Sequence, residues 1–299
     1  NNFDLKKEND ILAKRVFLFP STYVLLILTI FPICFSLAIT FTNYRLLDSN
    51  DLEYSFNNWS QLFSDKNFFI VLTNTIKFVF IGAIFQFALG FAIAQLLNSK
   101  IKFIKFFRIT FLLPMMMSPV AVSYIVGKML FSETFGPIND LLSFWGLPLF
   151  NWSLSPFKSM VLLIVIDTWQ WTPFFILILL AGLQSIPEEL FESAKIDGAS
   201  SFQIFSHITF PLLLPISSTV IFVRIIESFK VIDIVRIVTG GGPGNTTESV
   251  TLYAYDIGLK GGDIAYASTI AYALLIMVIV FSIIYFVLEK QFKKILGNE

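Results

Sequence analysis

The sequence predicts an all-α membrane protein with six transmembrane helices and both termini in the cytoplasm. Hydrophobic residues make up 56% of its 299 residues and charged residues only 14%, against roughly 25% charged in soluble domains. A large soluble domain still leaves about a quarter of its unfolded surface exposed, so this composition is incompatible with most soluble enzymes. Six apolar stretches are long enough to span a bilayer, which takes about 20 helical residues. Lys and Arg collect on alternate connections between these stretches.

The first apolar stretch is predicted to remain in the mature chain as a span. It is far longer than the about 7–15 residues of a signal-peptide core. We divide the chain into a cytoplasmic N-terminal segment (1–15), one six-helix membrane domain (16–288) and a cytoplasmic tail (289–299). Kinks are expected at prolines inside the spans, namely Pro20, Pro32, Pro119 and Pro173. The predicted spans are 16–41, 70–98, 109–131, 158–183, 211–237 and 264–288.

The orientation follows from the basic residues, because cytoplasmic connections carry the excess of Lys and Arg. Twelve of them lie in the connections on one side and three on the other. The outer connections are then 42–69, 132–157 and 238–263, and their Trp59, Trp145 and Trp152 are expected at the membrane interface. The twelve are Lys6, Lys7, Lys14, Arg15, Lys100, Lys102, Lys105, Arg108, Lys195, Lys290, Lys293 and Lys294; the three are Arg45, Lys66 and Lys260.

Several chemistries are excluded by composition. A net charge of zero gives no footprint for nucleic acid. One cysteine, Cys34, and one histidine, His207, cannot form an intrachain disulfide or a Cys/His zinc site, and Cys34 is expected to be buried in the first span. No phosphate-binding loop of the G-x-x-x-x-G-K-[ST] type is present, so we expect no enzymatic activity and no cofactor in this chain.

The loop 184–210 is predicted to form two short helices on the cytoplasmic side. Pro187 and the acidic residues after it favour a helix start. Gly198 can take the left-handed conformation that ends a helix, and Ser200 or Ser201 can cap the next one. The second helix places Phe202, Phe205 and Ile208 on one face.

This loop resembles the cytoplasmic signature of the permeases of ABC importers. The residues that carry the resemblance are Glu192-Ser193-Ala194, then Asp197-Gly198-Ala199, followed by Phe205, Ile208 and Pro211. Ser193 departs from the usual alanine. The resemblance covers about 270 residues and is strongest to the sugar and glycerol-3-phosphate permeases related to the maltose transporter. Its other blocks are Phe107-Arg108 with Pro114, Trp169 to Pro173, Ser228 to Asp233, and Thr239 to Pro243.

The resemblance implies that the loop is a coupling helix, seated in a cleft on a cytoplasmic ATPase subunit. The alternative is an amphipathic loop on the lipid surface, which its three net negative charges disfavour. The coupling residues would be Glu192, Ser193, Ala194, Asp197, Gly198, Ala199 and Phe205.

The resemblance also implies partners. These are a second homologous permease, two ATPase subunits that hold ATP and Mg, and an extracytoplasmic solute-binding protein. The chain itself would be a multi-pass protein in the lipid of a bacterial inner membrane. The connection between spans five and six would reach the binding protein through a flexible glycine turn, although a plain loop turn is the alternative. The contact residues there are Gly240, Gly241, Gly242 and Pro243.

Charges at the end of span five remain open to two interpretations. Arg224, Glu227, Lys230, Asp233 and Arg236 alternate in sign every three residues, a spacing that winds through about 240° on a helix, so an irregular span is expected. Such charges either face a water-filled pathway or fix helix packing as ion pairs. Asp167 and Lys77 are the candidate ion-pair partners in the second case.

The candidate pathway would carry a monosaccharide, oligosaccharide, polyol or glycerol phosphate by alternating access. Carboxylates, amides and an aromatic face suit a sugar, and the alternative for span four is packing with an interfacial tryptophan belt. An ion-coupled secondary transporter or channel is the rival function. The candidate pathway residues are Asp167, Trp169, Gln170, Glu227, Ser228 and Lys230.

Overall fold

The computed structural model describes residues 2–46, 52–99 and 104–295, with side chains from residue 16 to residue 291 of these ranges. Their backbone is helical apart from turns, connections and one isolated β-bridge between Thr42 and Tyr54. Lys100 and Lys102, which the orientation used, lie outside the described residues. So do the side chains of the basic residues before Val16 and of Lys293 and Lys294.

The described residues form twelve α-helices, several of which continue into a π-helical turn. They are α1 (Asn2–Ile39), α2 (Asn57–Ser64), α3 (Lys66–Asn98), α4 (Ile104–Met116), α5 (Pro119–Val122, continuing to Leu130), α6 (Pro137–Phe144), α7 (Pro156–Gln184), α8 (Glu188–Ile196), α9 (Ser201–Ile204, continuing to Thr209), α10 (Phe210–Ser228), α11 (Val250–Tyr255, continuing to Lys260) and α12 (Ile264–Ile295).

Five stretches among the described residues are long and apolar enough to cross a membrane, and a sixth forms if one bent pair counts as a single span. The bent pair is α4 with α5, which meet at an angle of 96°. The predicted span 109–131 is therefore sharply bent at Pro119, where a kink was expected. Ser118 breaks the helix because its side chain accepts a hydrogen bond from the amide of Ala121 (3.2 Å), and Pro119 then starts the next helix.

The fifth span ends earlier than predicted. We expected it to reach Ile237, but α10 ends at Ser228 and the chain turns before a π-helical segment at Val235–Thr239. Gly240 then takes a left-handed conformation, with φ of 63°. The charged residues of this stretch therefore do not share one straight helix, which confirms the expected irregularity.

The structure divides into two compact units. The larger unit, residues 66–253 and 274–299, has its core where α3, α7 and α10 pack together. Gly90 allows the closest approach, because a Cβ there would lie 2.4 Å from the Cβ of Phe175 on α7. Small residues permit such close helix packing where no hydrophobic effect drives association between spans.

The smaller unit, residues 1–65 and 254–273, is held by polar contacts at its loops. The hydroxyl of Tyr266 donates to Asp65 (2.6 Å), and Arg45 pairs with Asp263 (3.1 Å). No residue from 16 to 39 is buried in this chain, Cys34 included, so the expected burial of Cys34 is wrong. An apolar helix that this chain leaves unburied suits lipid or another subunit.

The three tryptophans that the sequence predicts for the outer connections differ in environment. Trp145 is 67% exposed. Trp152 is only 8% exposed, and its indole nitrogen donates to the carbonyl of Phe131 (2.8 Å), so its side chain packs within this chain. Trp59 is half-buried and lies 3.3 Å from the hydroxyl of Thr40.

Candidate functional site

A buried polar cluster lies where α3, α7 and α10 meet. Gln86, Asp167 and Arg224 come from these three helices and are 0%, 5% and 3% exposed. Arg224 donates through Nη2 to Oδ2 of Asp167 (2.5 Å) and through Nε to Oε1 of Gln86 (2.8 Å). The amide of Gln86 donates to the same Asp167 oxygen (2.7 Å), which closes a three-membered ring of hydrogen bonds.

Trp171 completes the surroundings of Arg224. The guanidinium carbon lies 4.7 Å from the centroid of the indole ring, within the range of a cation–π contact. Charged side chains within apolar spans are costly unless they pair, and here the two charges and the amide satisfy one another. Asp167 is thus the ion-pair partner of Arg224, whereas the side chain of Lys77 is exposed.

A polar cavity of ≈ 160 Å³ opens beside this cluster. Its wall combines acidic, basic, amide, hydroxyl and aromatic groups, which together can hydrogen-bond several hydroxyls and cover the apolar face of a sugar ring. Glu227 and Lys230 pair at 2.8 Å, and their side chains are 49% and 63% exposed, so this pair can open to a solute. The lining residues are Pro119, Asp167, Gln170, Trp171, Arg224, Glu227, Ser228, Lys230, Val231, Ile232, Asp233 and Ile234.

Five of the six candidate pathway residues line this cavity: Asp167, Gln170, Glu227, Ser228 and Lys230. Trp169 does not. It is 43% exposed and lines a larger apolar groove instead. Two residues along a helix turn the side chain by about 200°, so Trp169 and Trp171 face opposite ways.

Two members of the site were missed from the sequence, namely Gln86 and Trp171. Gln86 had a signal, since an amide within the apolar helix α3 is unusual and marks a functional or packing site. Trp171 follows Asp167 by four residues, a spacing that puts both on one helix face. Gln170 also fixes the bent pair, because its amide donates to the carbonyl of Met117 (3.2 Å).

The loop 184–210 has the predicted local structure. Helix α8 ends before Gly198, whose φ is 77°. The side chain of Ser200 then accepts from the amide of Gln203 (3.3 Å), while the Gln203 side chain accepts from the amide of Ser200 (2.8 Å). This reciprocal cap starts α9.

The candidate coupling residues differ in exposure. None of α8 is buried, and Ile196 and Phe202 are 86% and 75% exposed, which leaves apolar surface on the loop. Phe202 therefore does not share the half-buried environment of Phe205 and Ile208, contrary to the single predicted face. The exposed candidates are Glu192, Ser193, Asp197 and Gly198, and the half-buried ones are Ala194, Ala199 and Phe205.

A row of aromatic rings connects this loop to the core. Phe205 packs on Phe91 of α3 at 5.9 Å between ring centroids, and Phe91 packs on Phe87 at 5.8 Å. Phe87 contacts Phe175 of α7 at 6.1 Å and is the neighbour of Gln86 in the chain. A displacement of the loop would reach the two helices that carry the polar cluster through these rings.

The glycine-rich connection after α10 is held by hydrogen bonds to its own residues and to α3. The hydroxyl of Thr247 donates to the carbonyl of Gly242 (2.7 Å), and the amide of Asn74 donates to the carbonyl of Asn245 (2.8 Å). Gly240 is exposed, Gly241 is buried, and Gly242 and Pro243 are half-buried. Only part of the predicted contact segment is therefore open on this chain's surface, and the loop is braced rather than free.

The connection between α5 and α7 has one carboxylate with an altered pKa. Burial alone would raise the pKa of Glu133, but the amide and hydroxyl of Ser153 donate to its two oxygens (2.7 and 2.8 Å). These bonds, with further help from the charge of Lys158, hold the pKa of Glu133 below its ordinary value. Among the described residues, no group of His, Cys, Asp and Glu could hold a metal ion.

Apolar helices of membrane length around a polar cavity define a membrane transport protein. Residues 67–294 match the family described as "binding-protein-dependent transport system inner membrane component". This is well over half of the chain, which therefore belongs to that family. The chain is a permease subunit of an ABC importer in the inner membrane, and an ion-coupled transporter is not favoured.

Several relatives match most of the chain. The trehalose/maltose transport system permease protein MalF of Thermococcus litoralis is 34% identical over 76% of this chain and 77% of its own length. The galactooligosaccharides transport system permease protein GanP of Bacillus subtilis is 30% identical over 92% of this chain and 69% of its own. A bacterial alginate ABC transporter, solved in complex with an alginate-bound periplasmic protein, shares the fold with a TM-score of 0.81 at 22% identity, over 93% of each chain.

Proposed function

We propose that this permease forms half of the translocation pathway for a sugar, or for a related polyol or glycerol phosphate, delivered by an extracytoplasmic binding protein. The observation that carries the proposal is the polar cavity beside the Asp167–Arg224 pair, between helices of membrane length. The relatives named for trehalose and maltose and for galactooligosaccharides support a sugar as the solute.

Each side chain of the cavity has a distinct task in this proposal. The buried ring of Gln86, Asp167 and Arg224 fixes the wall, because its members already satisfy one another. Glu227 and Lys230 are exposed and exchange their mutual ion pair for hydrogen bonds to hydroxyl groups. Trp171 offers its free face to the apolar side of a sugar ring.

Coupling to ATP occurs through the loop 184–210 in the same proposal. Its unburied helix α8 inserts into a cytoplasmic ATPase subunit, which holds ATP and Mg, and the rings from Phe205 to Phe175 transmit the movement. Two ATPase subunits and a second permease complete the importer. The termini are cytoplasmic and the bent pair counts as the third of six spans. Such a machine needs an interface with two arrangements that both ATP and solute bias.

Transport of radiolabelled sugar into proteoliposomes tests the cavity, with the solute first identified by thermal-shift screening of the purified binding protein. We expect Trp171→Ala and Gln170→Ala to reduce transport at least about tenfold, the effect of losing about 1.4 kcal/mol of binding. Trp169→Ala is the matched control, since this tryptophan lies outside the cavity. Equal transport by all three variants would refute the assignment.

A second experiment separates coupling from solute binding. Glu192→Lys should leave the importer assembled in the membrane but uncouple ATP hydrolysis from transport. Glu188→Lys, at the exposed start of the same helix, is the control for the charge change. Normal transport per ATP in the Glu192 variant would contradict the coupling role.

A further inference from the structure

Arg108 on α4 is a cation with an unsatisfied donor. Its Nε is buried and has no hydrogen-bond partner among the described residues. The ion pairs found within those residues do not involve it. A buried donor without an acceptor is destabilising, and a guanidinium is well shaped to bind phosphate through two parallel hydrogen bonds. An anion from outside this chain would satisfy both requirements.

The space beside Arg108 is a cavity of ≈ 250 Å³ between α4 and the end of α7. Apart from Arg108 and Gln184 its wall is apolar, with Leu112 and Leu180 among its members. Ile176 lines both this cavity and the apolar groove of ≈ 640 Å³ that runs along α3, α4 and α7. The lining is therefore cationic at Arg108 and mainly apolar beyond it, with three threonines in the groove: Thr110, Thr168 and Thr172.

This combination fits an amphiphile with an anionic head and an acyl tail better than a soluble anion. A soluble anion would leave the apolar groove unfilled, whereas an apolar helix would leave the Nε of Arg108 without an acceptor. Arg108 also lies on the predicted cytoplasmic side, where anionic lipids are concentrated and basic pockets between spans bind their head groups.

We propose that Arg108 and the adjoining cavity bind an anionic phospholipid. Its phosphate accepts hydrogen bonds from the guanidinium, and one acyl chain passes Ile176 into the apolar groove against α4 and α7. The lipid thereby packs on the helix that carries Asp167, on the face opposite the polar cavity. This site does not depend on the identity of the transported solute.

Native mass spectrometry of the assembled importer tests the proposal. The complex is delipidated in detergent and titrated with phosphatidylglycerol, phosphatidylcholine or inorganic phosphate. We expect wild type to retain phosphatidylglycerol about tenfold more strongly than phosphatidylcholine, the preference that one charged hydrogen-bonding site provides. Arg108→Gln should abolish this preference, and Lys105→Gln, an exposed cation one turn earlier, should keep it.

A second variant covers the case in which Arg108→Gln fails to assemble. Ala181→Phe fills the cavity from its exposed wall while leaving the arginine in place, and it should also lose the bound phosphatidylglycerol. Equal retention by wild type and both variants would overturn the site. Displacement of the lipid by inorganic phosphate alone would assign a soluble anion instead. Failure of wild type to retain either lipid would also overturn the proposal.

Discussion

Removing one charge of the buried pair should strongly destabilise the permease. Asp167→Asn keeps the size of the side chain but leaves the guanidinium of Arg224, which is 3% exposed, without its counter-ion. Two unit charges about 4 Å apart attract by about 4 kcal/mol at an effective dielectric of about 20. Breaking buried pairs in proteins costs about 3–5 kcal/mol, which agrees with that figure.

The assay is the loss of the monodisperse importer peak on size-exclusion chromatography after heating at a series of temperatures. We expect the midpoint for Asp167→Asn to fall by about 6–20 °C, taking about 2–4 °C for each kcal/mol. The double variant Asp167→Asn with Arg224→Met removes both charges and should recover much of the loss. Such replacement is often neutral for buried pairs.

The exposed pair on the same helix end is the matched control. Glu227 and Lys230 lie as close as a strong ion pair, but both side chains are about half exposed or more. Glu227→Gln should therefore cost only about 0.2–1 kcal/mol. The reasoning fails if Asp167→Asn and Glu227→Gln have the same midpoint temperature in the heating assay. It also fails if the double variant has a midpoint no higher than that of Asp167→Asn.

Three further predictions concern packing, the loop and pH. Gly90→Ala should cost about 1–3 kcal/mol in the same heating assay, because its Cβ would lie 2.4 Å from that of Phe175. Gly198→Ala should strain the left-handed turn by about 1–2 kcal/mol and increase deuterium uptake over 188–210 without reducing the amount of inserted protein. The lowered pKa of Glu133 means that its contribution to stability is complete above its ordinary value of 4.5 and is lost as pH falls through the lower folded value. Deuterium uptake over 131–155, corrected for intrinsic exchange, should therefore rise on acidification below 4.5.

Two of these predictions have a control variant within the chain, and the third has an outcome that would refute it. Gly82→Ala should be tolerated, since a Cβ there meets its nearest neighbours only at 3.6 and 3.7 Å. Unchanged loop uptake in Gly198→Ala would show that the turn does not need the left-handed conformation. Glu133→Gln should remove the acid-dependent rise, and an equal rise in this variant would assign the effect to another group.

The identity of most polar residues in the site could be predicted from the sequence, but the contacts between them could not. The polar residues of α7 and α10 are conspicuous in apolar sequence, so five of the six candidates line the cavity. Trp169 was chosen in place of Trp171 because the sequence does not show which face of α7 meets α10. The amide of Gln86 is visible within apolar α3, but the sequence does not show that Asp167 and Arg224 lie beside it.

Local chemistry determined the spans, the asymmetry of basic residues and the loop with its turn at Gly198. These depend on apolar length, charge placement and backbone conformation, which neighbouring residues specify. Tertiary structure alone decided the ring of Gln86, Asp167 and Arg224, whose members are 57 to 138 positions apart in the chain. It also decided the unpaired donor of Arg108. The 96° bend, by contrast, follows from the local cap at Ser118 and from Pro119. The physical reason is that desolvation and pairing depend on which helices meet, and residues far apart in sequence set that together.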